Sequence, residues 1–211
     1  MAESKFDSLL FDMDGTLWDA VDSYCAVWNR TIDDFKLPVD YITYPRLASY
    51  MGKPLETIYS ELIGTRADHD AFLGRLIQNE RAMMPELGGK LYPDVKETLT
   101  RLGADHKLFM VSNCDKNGLP NFLRYTGMES LFTDVRSFGQ TGKEKDANIT
   151  DLVERYSLKS PLYIGDVQHD CDDAHKAGVP FAWASYGFGK DVRGEEYKLQ
   201  TIKDLFTVCY D

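Results

Sequence analysis

The sequence predicts an α/β protein with a doubly wound parallel sheet and a small helical domain inserted after the first strand. Short apolar runs that end in polar turns alternate with helical patterns from about Tyr92 to the C-terminus, which is typical of a parallel sheet with helices on both faces. From roughly Asp19 to Lys90 this alternation stops, because the stretch has helix-like patterns and no convincing strand. A chain of 211 residues has room for one to two domains of this kind.

Each predicted strand is a short apolar run, and each helix between strands has apolar residues at helical spacing. The first strand stops at Asp12 and the second at Ser112, both in polar turns. Gly103 closes the first helix of the alternating region and Gly178 closes the last. The predicted strands are 6–11, 107–111, 131–135, 161–164 and 179–184, and the predicted helices between them are 95–102, 146–156 and 171–176.

The inserted segment contains three helix-like stretches, AVWNRTIDDF, PLETIYSELIG and HDAFLGRLIQNERAMM. We therefore predict a core domain of residues 1–18 and 91–211 and a helical domain of residues 19–90. Aromatic residues in and beside the segment, among them Trp18 and Trp28, are expected mostly in the core of the helical block. Lys53, in the turn after Gly52, is either a solvated surface lysine or a cation that faces a substrate.

The charge balance argues against nucleic acid as a general partner. The chain carries 24 Lys and Arg against 34 Asp and Glu, a net charge of −10, and such a surface repels a phosphate backbone. A small phosphorylated substrate could still bind where cations or backbone N–H groups are concentrated. Charged residues at 27% and hydrophobic residues at 43% are ordinary for a globular protein.

The cysteines and the N-terminus favour a cytoplasmic protein. Cys25, Cys114, Cys171 and Cys209 are widely spaced and form no C-x-x-C pair, which suits reduced thiols better than a disulfide framework. The N-terminus has no basic region followed by an apolar run, and no stretch approaches about 18 apolar residues. We expect neither a signal peptide nor a membrane segment, and no membrane partner.

Polar side chains that follow the predicted strands are expected to share one site, because ligands of open parallel sheets bind at the carboxyl ends of the strands. Lys143 and Lys145 lie in a glycine-containing approach to a further helix. Carboxylates crowded at this edge repel one another unless a cation lies among them. An oxygen-rich set without a His or Cys group favours Mg²⁺ as that cation. The polar residues gathered in this way are Asp12, Asp14, Ser112, Asn113, Asp166 and Asp170.

These residue types suit phosphoryl transfer through a covalent intermediate. The carboxylate of Asp12 can attack phosphorus and form an aspartyl-phosphate. Asp14, two residues on, can protonate the leaving oxygen and later activate the water that cleaves the intermediate. Ser112 and Asn113 can hydrogen-bond the transferring phosphoryl oxygens.

The remaining charged groups have tasks in the same chemistry. Asp166 is expected to bind the metal, and Asp170 either binds it or holds a water bound to it. A lysine would neutralise charge on the nucleophile and on the phosphate. Spacing to the following helix permits either Lys143 or Lys145 in that role.

The segments FDMDGTLWD, MVSN, GKEK and YIGDVQHD resemble, in this order, the four motifs of the haloacid dehalogenase (HAD) superfamily. The helical insertion after the first motif is similar to the C1 cap of its phosphoglycolate-phosphatase-like members. The resemblance covers nearly the whole chain and implies a Rossmann-like core, a cap domain and a phosphoric monoester hydrolase. It also implies that Asp12 is the nucleophile, Asp14 the acid and base, and Ser112 a phosphate ligand. The metal ligands it implies are Asp12, the backbone carbonyl of Asp14, and Asp166.

The lysine motif departs from the K-P-x-P pattern of many cap-bearing phosphatases. TGKEKDANI is closer to relatives with T-G-x-x-K-x-x-N-I, and this likeness selects Lys145 over Lys143. The expected protein is thus a Mg²⁺-dependent phosphatase that hydrolyses a small phosphorylated metabolite through a phosphoaspartate.

Three functions other than hydrolysis share parts of this pattern. A phosphotransferase such as a sugar-phosphate mutase shares every core residue and remains an alternative. A receiver-type phospho-acceptor module is disfavoured, because such modules are much shorter, carry no cap and place the phosphorylated Asp on a middle strand. Dehalogenation is disfavoured because the resembling dehalogenases lack the second acid that stands here as Asp14. The identity of the substrate and the oligomeric state are left open.

Overall fold

The computed structural model describes residues 4–211, and the chain divides into two compact units. The first unit contains the segment through Asp19 together with Leu91–Asp211. The second unit is Ala20–Lys90. Two short strands, β2 (Trp18–Asp19) and β3 (Lys90–Leu91), stand at the two ends of the inserted segment.

The first unit is built on a parallel sheet, as the sequence predicts. Within residues 4–211 its strands are β1 (Ser8–Phe11), β4 (Lys107–Ser112), β5 (Asp134–Ser137), β6 (Pro161–Gly165), β7 (Phe181–Ala184) and β8 (Tyr197–Leu199). They lie in the order β5-β4-β1-β6-β7-β8, and each neighbouring pair is parallel. The chain builds the sheet outward from β1 in one direction and then returns to build it in the other, which is the doubly wound arrangement.

Helices cover the sheet and bury its apolar side chains. On one face, Leu10, Phe109 and Tyr163 pack with Ile149 and Ala174 from two of the helices. Their strand neighbours point to the opposite face and are also buried, so both faces are covered. The helices of this unit are α5 (Val95–Leu102), α6 (Gly118–Thr126), α7 (Phe138–Thr141), α8 (Lys145–Tyr156), α9 (Gln168–Lys176) and α10 (Leu205–Tyr210), with 3₁₀ turns at Glu129–Leu131 and Ile202–Asp204.

The elements that lie wholly within the second unit are helices. Its core packs aromatic rings, with the Phe72 ring 5.3 Å from Tyr59 and 6.0 Å from Trp28 between centroids. At its surface, the imidazole of His69 lies between two carboxylates, 2.6 Å from Glu56 and 2.8 Å from Asp70. The helices are α1 (Val21–Asp34), α2 (Tyr44–Ala48), α3 (Leu55–Leu62) and α4 (His69–Leu87).

The structure departs from the predicted elements where the local pattern is weak. The strand predicted at 131–135 lies at Asp134–Ser137, because Leu131 closes a 3₁₀ turn and Phe109 pairs in register with Asp134. The edge strand Tyr197–Leu199 has three residues and no apolar run, so periodicity gave no signal for it. No helix within residues 4–211 has both the length and the apolar character needed to cross a bilayer.

Candidate active site

The register of the sheet brings three polar strand ends to one edge. Phe11, the last residue of β1, is level with Met110 of β4 on one side and Ile164 of β6 on the other. The backbone N–H of Asp12 donates to the carbonyl of Ile164 at 2.9 Å, which extends this alignment by one residue. Ser112 and Asp166 each come one residue beyond the level of Asp12, so the three residues leave the sheet at the same edge.

Three buried carboxylates gather at this edge. Oxygen atoms of Asp12, Asp166 and Asp170 all lie within 4.8 Å of one another. Asp12 comes from the end of β1, Asp166 from the end of β6, and Asp170 from the first turn of α9. Their side chains are almost inaccessible, with relative exposures of 5%, 1% and 0%. This is a concentration of negative charge in a poorly solvated place.

One ammonium group enters the acidic cluster. Lys145, the first residue of α8, is 2% exposed, and its Nζ lies 3.0 Å from Asp12 Oδ1 and 2.5 Å from Asp170 Oδ1. The ring of Tyr163 lies beneath it, with its centroid 5.9 Å from Nζ. Lys143 is exposed, and its Nζ is 3.8 Å from Asp151. Of the two lysines weighed from the sequence, Lys145 is the one that contacts Asp12.

Asp170 ties the cluster together through both carboxylate oxygens. Its Oδ1 accepts from Lys145, and its Oδ2 accepts the backbone N–H groups of Asp166 and Val167 at 3.0 and 3.1 Å. A side chain at Gly165 would overlap the Asp170 carboxyl, so this approach requires glycine. These contacts fix the lysine and the turn that carries Asp166 in one arrangement.

The loop that follows β7 holds Asp166. The backbone N–H groups of Phe188 and Gly189 donate to its Oδ2 at 2.7 and 3.3 Å, and the indole of Trp183 donates to its backbone carbonyl at 3.0 Å. A Cβ at Gly187 would overlap Asp166. The pair of glycines just after the last long strand was the signal for this contact, because alternate glycines mark close backbone approach.

The buried charges shift one another's pKa values. Burial raises the pKa of Asp12 to about 6, although the Lys145 ammonium acts in the opposite direction. Burial, together with the charges of Asp170 and Asp12, raises the pKa of Asp166 well above its ordinary value. Burial alone would lower the pKa of Lys145, but the two carboxylates beside it outweigh burial and raise it.

The donor set fits a hard divalent cation. At an effective dielectric constant of about 20, two carboxylates 4.8 Å apart repel by about 3.5 kcal/mol. Lys145 brings one positive charge to three carboxylates, so protons or a cation must offset the rest. All three donors are carboxylate oxygens, which Mg²⁺ prefers, with ligand distances of about 2.1 Å. The donor atoms of the cluster are therefore of the kind that a magnesium site requires.

Asp14 lies outside this cluster of three and is half-buried. Its Oδ1 accepts a hydrogen bond from the indole Nε1 of Trp18 at 2.9 Å. Trp18 was expected in the core of the helical block, but it belongs to the first unit and packs on Phe122 there. Sequence periodicity could not reveal this, because Trp18 closes a turn in which Gly15 has a φ of +84°.

Ser112 is the last residue of β4 and Asn113 follows it, at the same edge of the sheet. The Ser112 hydroxyl is buried and accepts the backbone N–H of Cys114 at 3.4 Å. The buried Oδ1 of Asn113 has no hydrogen-bond partner among residues 4–211. An orphaned polar atom of this kind is costly unless something binds it.

In the second unit, the exposed Lys53 places its Nζ 4.8 Å from the ring centroid of Tyr50.

Comparison with known proteins agrees with this fold and these motifs. Residues 9–184 match the family described as haloacid dehalogenase-like hydrolase. A phosphoglycolate phosphatase of Aliivibrio fischeri is 28% identical over 215 residues, which cover 94% of this chain and 92% of that protein.

Solved structures show the same fold at low sequence identity. A haloacid dehalogenase-like family protein from Streptococcus pneumoniae superposes with a TM-score of 0.86 at 17% identity, covering 96% of this chain and 98% of the other. A predicted phosphoglycolate phosphatase from Haemophilus somnus gives 0.85 at 22% identity, covering 97% and 98%. The family match spans most of the chain, and the expected superfamily is confirmed. The chain belongs to the haloacid dehalogenase-like hydrolase family.

Proposed function

We propose that the protein is a Mg²⁺-dependent phosphomonoesterase that transfers the phosphoryl group of a small metabolite to Asp12 and then to water. The observation that carries the proposal is the buried Asp12 carboxylate. It lies 3.0 Å from Lys145 and clusters with Asp166 and Asp170. A buried carboxylate that is held between a fixed cation and other acids, at the carboxyl edge of a parallel sheet, has the features of a nucleophile.

In the first half-reaction, a carboxylate oxygen of Asp12 forms a bond to phosphorus while the bond from phosphorus to the leaving oxygen breaks. Asp14 gives its proton to that oxygen, and the alcohol departs. Lys145 holds Asp12 in place and, by its charge, keeps it ionised. The hydroxyl of Ser112 donates to a phosphoryl oxygen, and the amide of Asn113 can turn its Nδ2 to another.

In the second half-reaction, the Asp14 carboxylate takes a proton from water as the water oxygen attacks phosphorus. The bond between phosphorus and Asp12 breaks, which releases one inorganic phosphate. This step restores the Asp12 carboxylate and the proton on Asp14. Asp12, the backbone carbonyl of Asp14, and Asp166 would hold Mg²⁺, with Asp170 beside them. Bound there, the ion would offset negative charge on the phosphoryl group.

For the substrate, we propose a small phosphorylated acid, with 2-phosphoglycolate as the first compound to test. The support is the Aliivibrio fischeri relative, which is named a phosphoglycolate phosphatase and which is similar to this protein over nearly the whole of both chains. We further propose that the helical unit, residues 20–90, acts as the cap that selects the leaving group. Its turn at Lys53 offers an exposed cation for a substrate carboxylate.

The test is a phosphate-release screen over small phosphorylated metabolites, with Mg²⁺ and with EDTA. We expect turnover that depends on Mg²⁺ and releases one phosphate per substrate without any sugar acceptor. Asp12→Asn should abolish turnover while leaving the circular dichroism spectrum unchanged, because it removes the nucleophile and keeps the shape. Equal turnover with EDTA, or substantial activity in Asp12→Asn, would overturn the proposal. Transfer of the phosphoryl group to a sugar acceptor, with no release of inorganic phosphate, would favour a phosphotransferase.

A further inference from the structure

The indole of Trp18 is placed to control the side chain of Asp14. Its Nε1 donates to Asp14 Oδ1 at 2.9 Å, and its ring is 2% exposed. The two residues also pair as a β-bridge, and the carbonyl of Trp18 accepts the N–H of Gly15 at 2.9 Å. Backbone and side chain therefore both join Trp18 to the turn that carries Asp14.

The indole itself is held by packing within the first unit. Its ring stands edge-on to Phe122, with centroids 4.9 Å apart, and 6.3 Å from that of Tyr125. A buried ring confined on these sides has few rotamers open to it. The N–H of Trp18 is therefore a donor with a fixed position. The hydrogen bond to it restricts the orientation of the Asp14 carboxylate.

The chemistry of the donor decides which oxygen of Asp14 can exchange a proton. An indole nitrogen donates and never accepts. Asp14 Oδ1 must therefore act as the acceptor in both protonation states, and the proton that Asp14 gives and takes is carried by Oδ2. This matters because an acid catalyst works only when its proton-bearing oxygen is aimed at the leaving group.

We propose that Trp18 is a positioning residue, which turns Asp14 so that Oδ2 is the oxygen that protonates the leaving group. The inference rests on the proposed function, in which Asp14 is the general acid. It goes beyond that function by giving a task to a buried residue that takes no part in the two half-reactions.

The inference predicts an effect that depends on the leaving group. An alkyl phosphate such as 2-phosphoglycolate needs a proton on its departing oxygen, whereas 4-nitrophenyl phosphate releases a stable anion without one. General acid catalysis contributes about 10²–10⁴-fold, and a poorly aimed Asp14 keeps part of this. Trp18→Phe, which keeps an aromatic ring and removes the N–H, should lower kcat/KM for 2-phosphoglycolate about tenfold. For 4-nitrophenyl phosphate the change should stay within about twofold.

The experiment measures kcat/KM for both substrates in the full-length protein and in Trp18→Phe. Trp28→Phe is the matched control, since Trp28 is a buried tryptophan of the other unit. This control should change kcat/KM for both substrates by the same factor. If Trp18→Phe does not fold, 3-benzothienylalanine at position 18 preserves the ring shape and replaces the N–H with sulfur.

A loss confined to the alkyl phosphate supports the positioning role. An equal loss of kcat/KM for both substrates shows that Trp18 is only structural. No loss for either substrate shows that its hydrogen bond does not contribute to catalysis. Both results overturn the inference. If the unaltered protein hydrolyses neither compound, the proposed function fails and the inference with it, an outcome that is distinct from the other two.

Discussion

Replacing Lys145 with methionine is the most informative single change in the acidic cluster. Lys145 is 2% exposed, and its ammonium contacts both Asp12 and Asp170. Removing one partner of a buried ion pair leaves an uncompensated charge, at a cost of about 3–5 kcal/mol. We therefore expect Lys145→Met to lose about that much free energy of unfolding at neutral pH without added metal.

The same change should lower activity by about 10²–10³-fold, the usual loss when a fixed positive or donor group at a phosphoryl or acyl centre is removed. Part of the loss comes from Asp12. Its pKa is about 6 with Lys145 lowering it, so without the ammonium the pKa rises and more of the carboxyl is protonated at neutral pH. A protonated carboxyl is a poor nucleophile, and raising the pH should restore some activity to the variant.

The assay combines urea unfolding with phosphate release, and Lys143→Met is the matched control. Lys143 lies two positions away, with its side chain 55% exposed and its Nζ 3.8 Å from Asp151. Exposed pairs contribute little to stability, so the control should change the unfolding free energy by less than about 0.5 kcal/mol. Equal losses in the two variants, or more than half of the activity left in Lys145→Met, would refute the role given to Lys145.

Three further predictions concern other parts of the structure. Gly15→Ala should weaken Mg²⁺ binding by calorimetry more than Gly178→Ala, because both glycines have positive φ but only at Gly15 would a Cβ overlap Asp166; equal effects would contradict this. Asp166→Asn should abolish the rise in thermal stability that Mg²⁺ gives the unaltered protein, since one of three clustered carboxylates is lost; an undiminished rise would argue against this metal site. Hydrogen bonds that His69 donates to the carboxylates of Asp70 and Glu56 raise its pKa. The stability that these bonds give is therefore fully present below about pH 6.5 and fades as pH rises through the folded pKa. The loss of unfolding free energy in His69→Asn, measured by denaturant titration, should thus be largest at low pH. A loss that does not change with pH would show that these ion pairs do not stabilise the fold.

Much of the fold follows from the positions where apolar runs stop. The ends of the strands at Asp12, Ser112 and Asp166 are visible in the sequence, and a parallel sheet brings such ends to one edge. The fold class and the superfamily expected from these motifs are confirmed. In the structure, Asp12, Asp166, Asp170 and Lys145 lie together at this edge.

Contacts made by turns could not be predicted in the same way. The hydrogen bond from Trp18 to Asp14 depends on a positive φ at Gly15, and hydrophobic periodicity carries no information on such a turn. The N–H groups that hold Asp166 come from a loop 22 positions later in the chain. Long-range contacts made by backbone atoms leave only a weak mark in sequence, here the alternate glycines around Phe188.

The central claim is that phosphorus becomes covalently bound to Asp12, and trapping the intermediate tests it most directly. The protein is mixed with Mg²⁺ and 4-nitrophenyl phosphate, quenched in acid, reduced with borohydride and digested for peptide mass spectrometry. An acyl phosphate at Asp12 would be reduced to homoserine, so we predict homoserine at position 12 and an unmodified Asp14. Continued turnover with an intact Asp12, or reduction at another acid, would contradict the account.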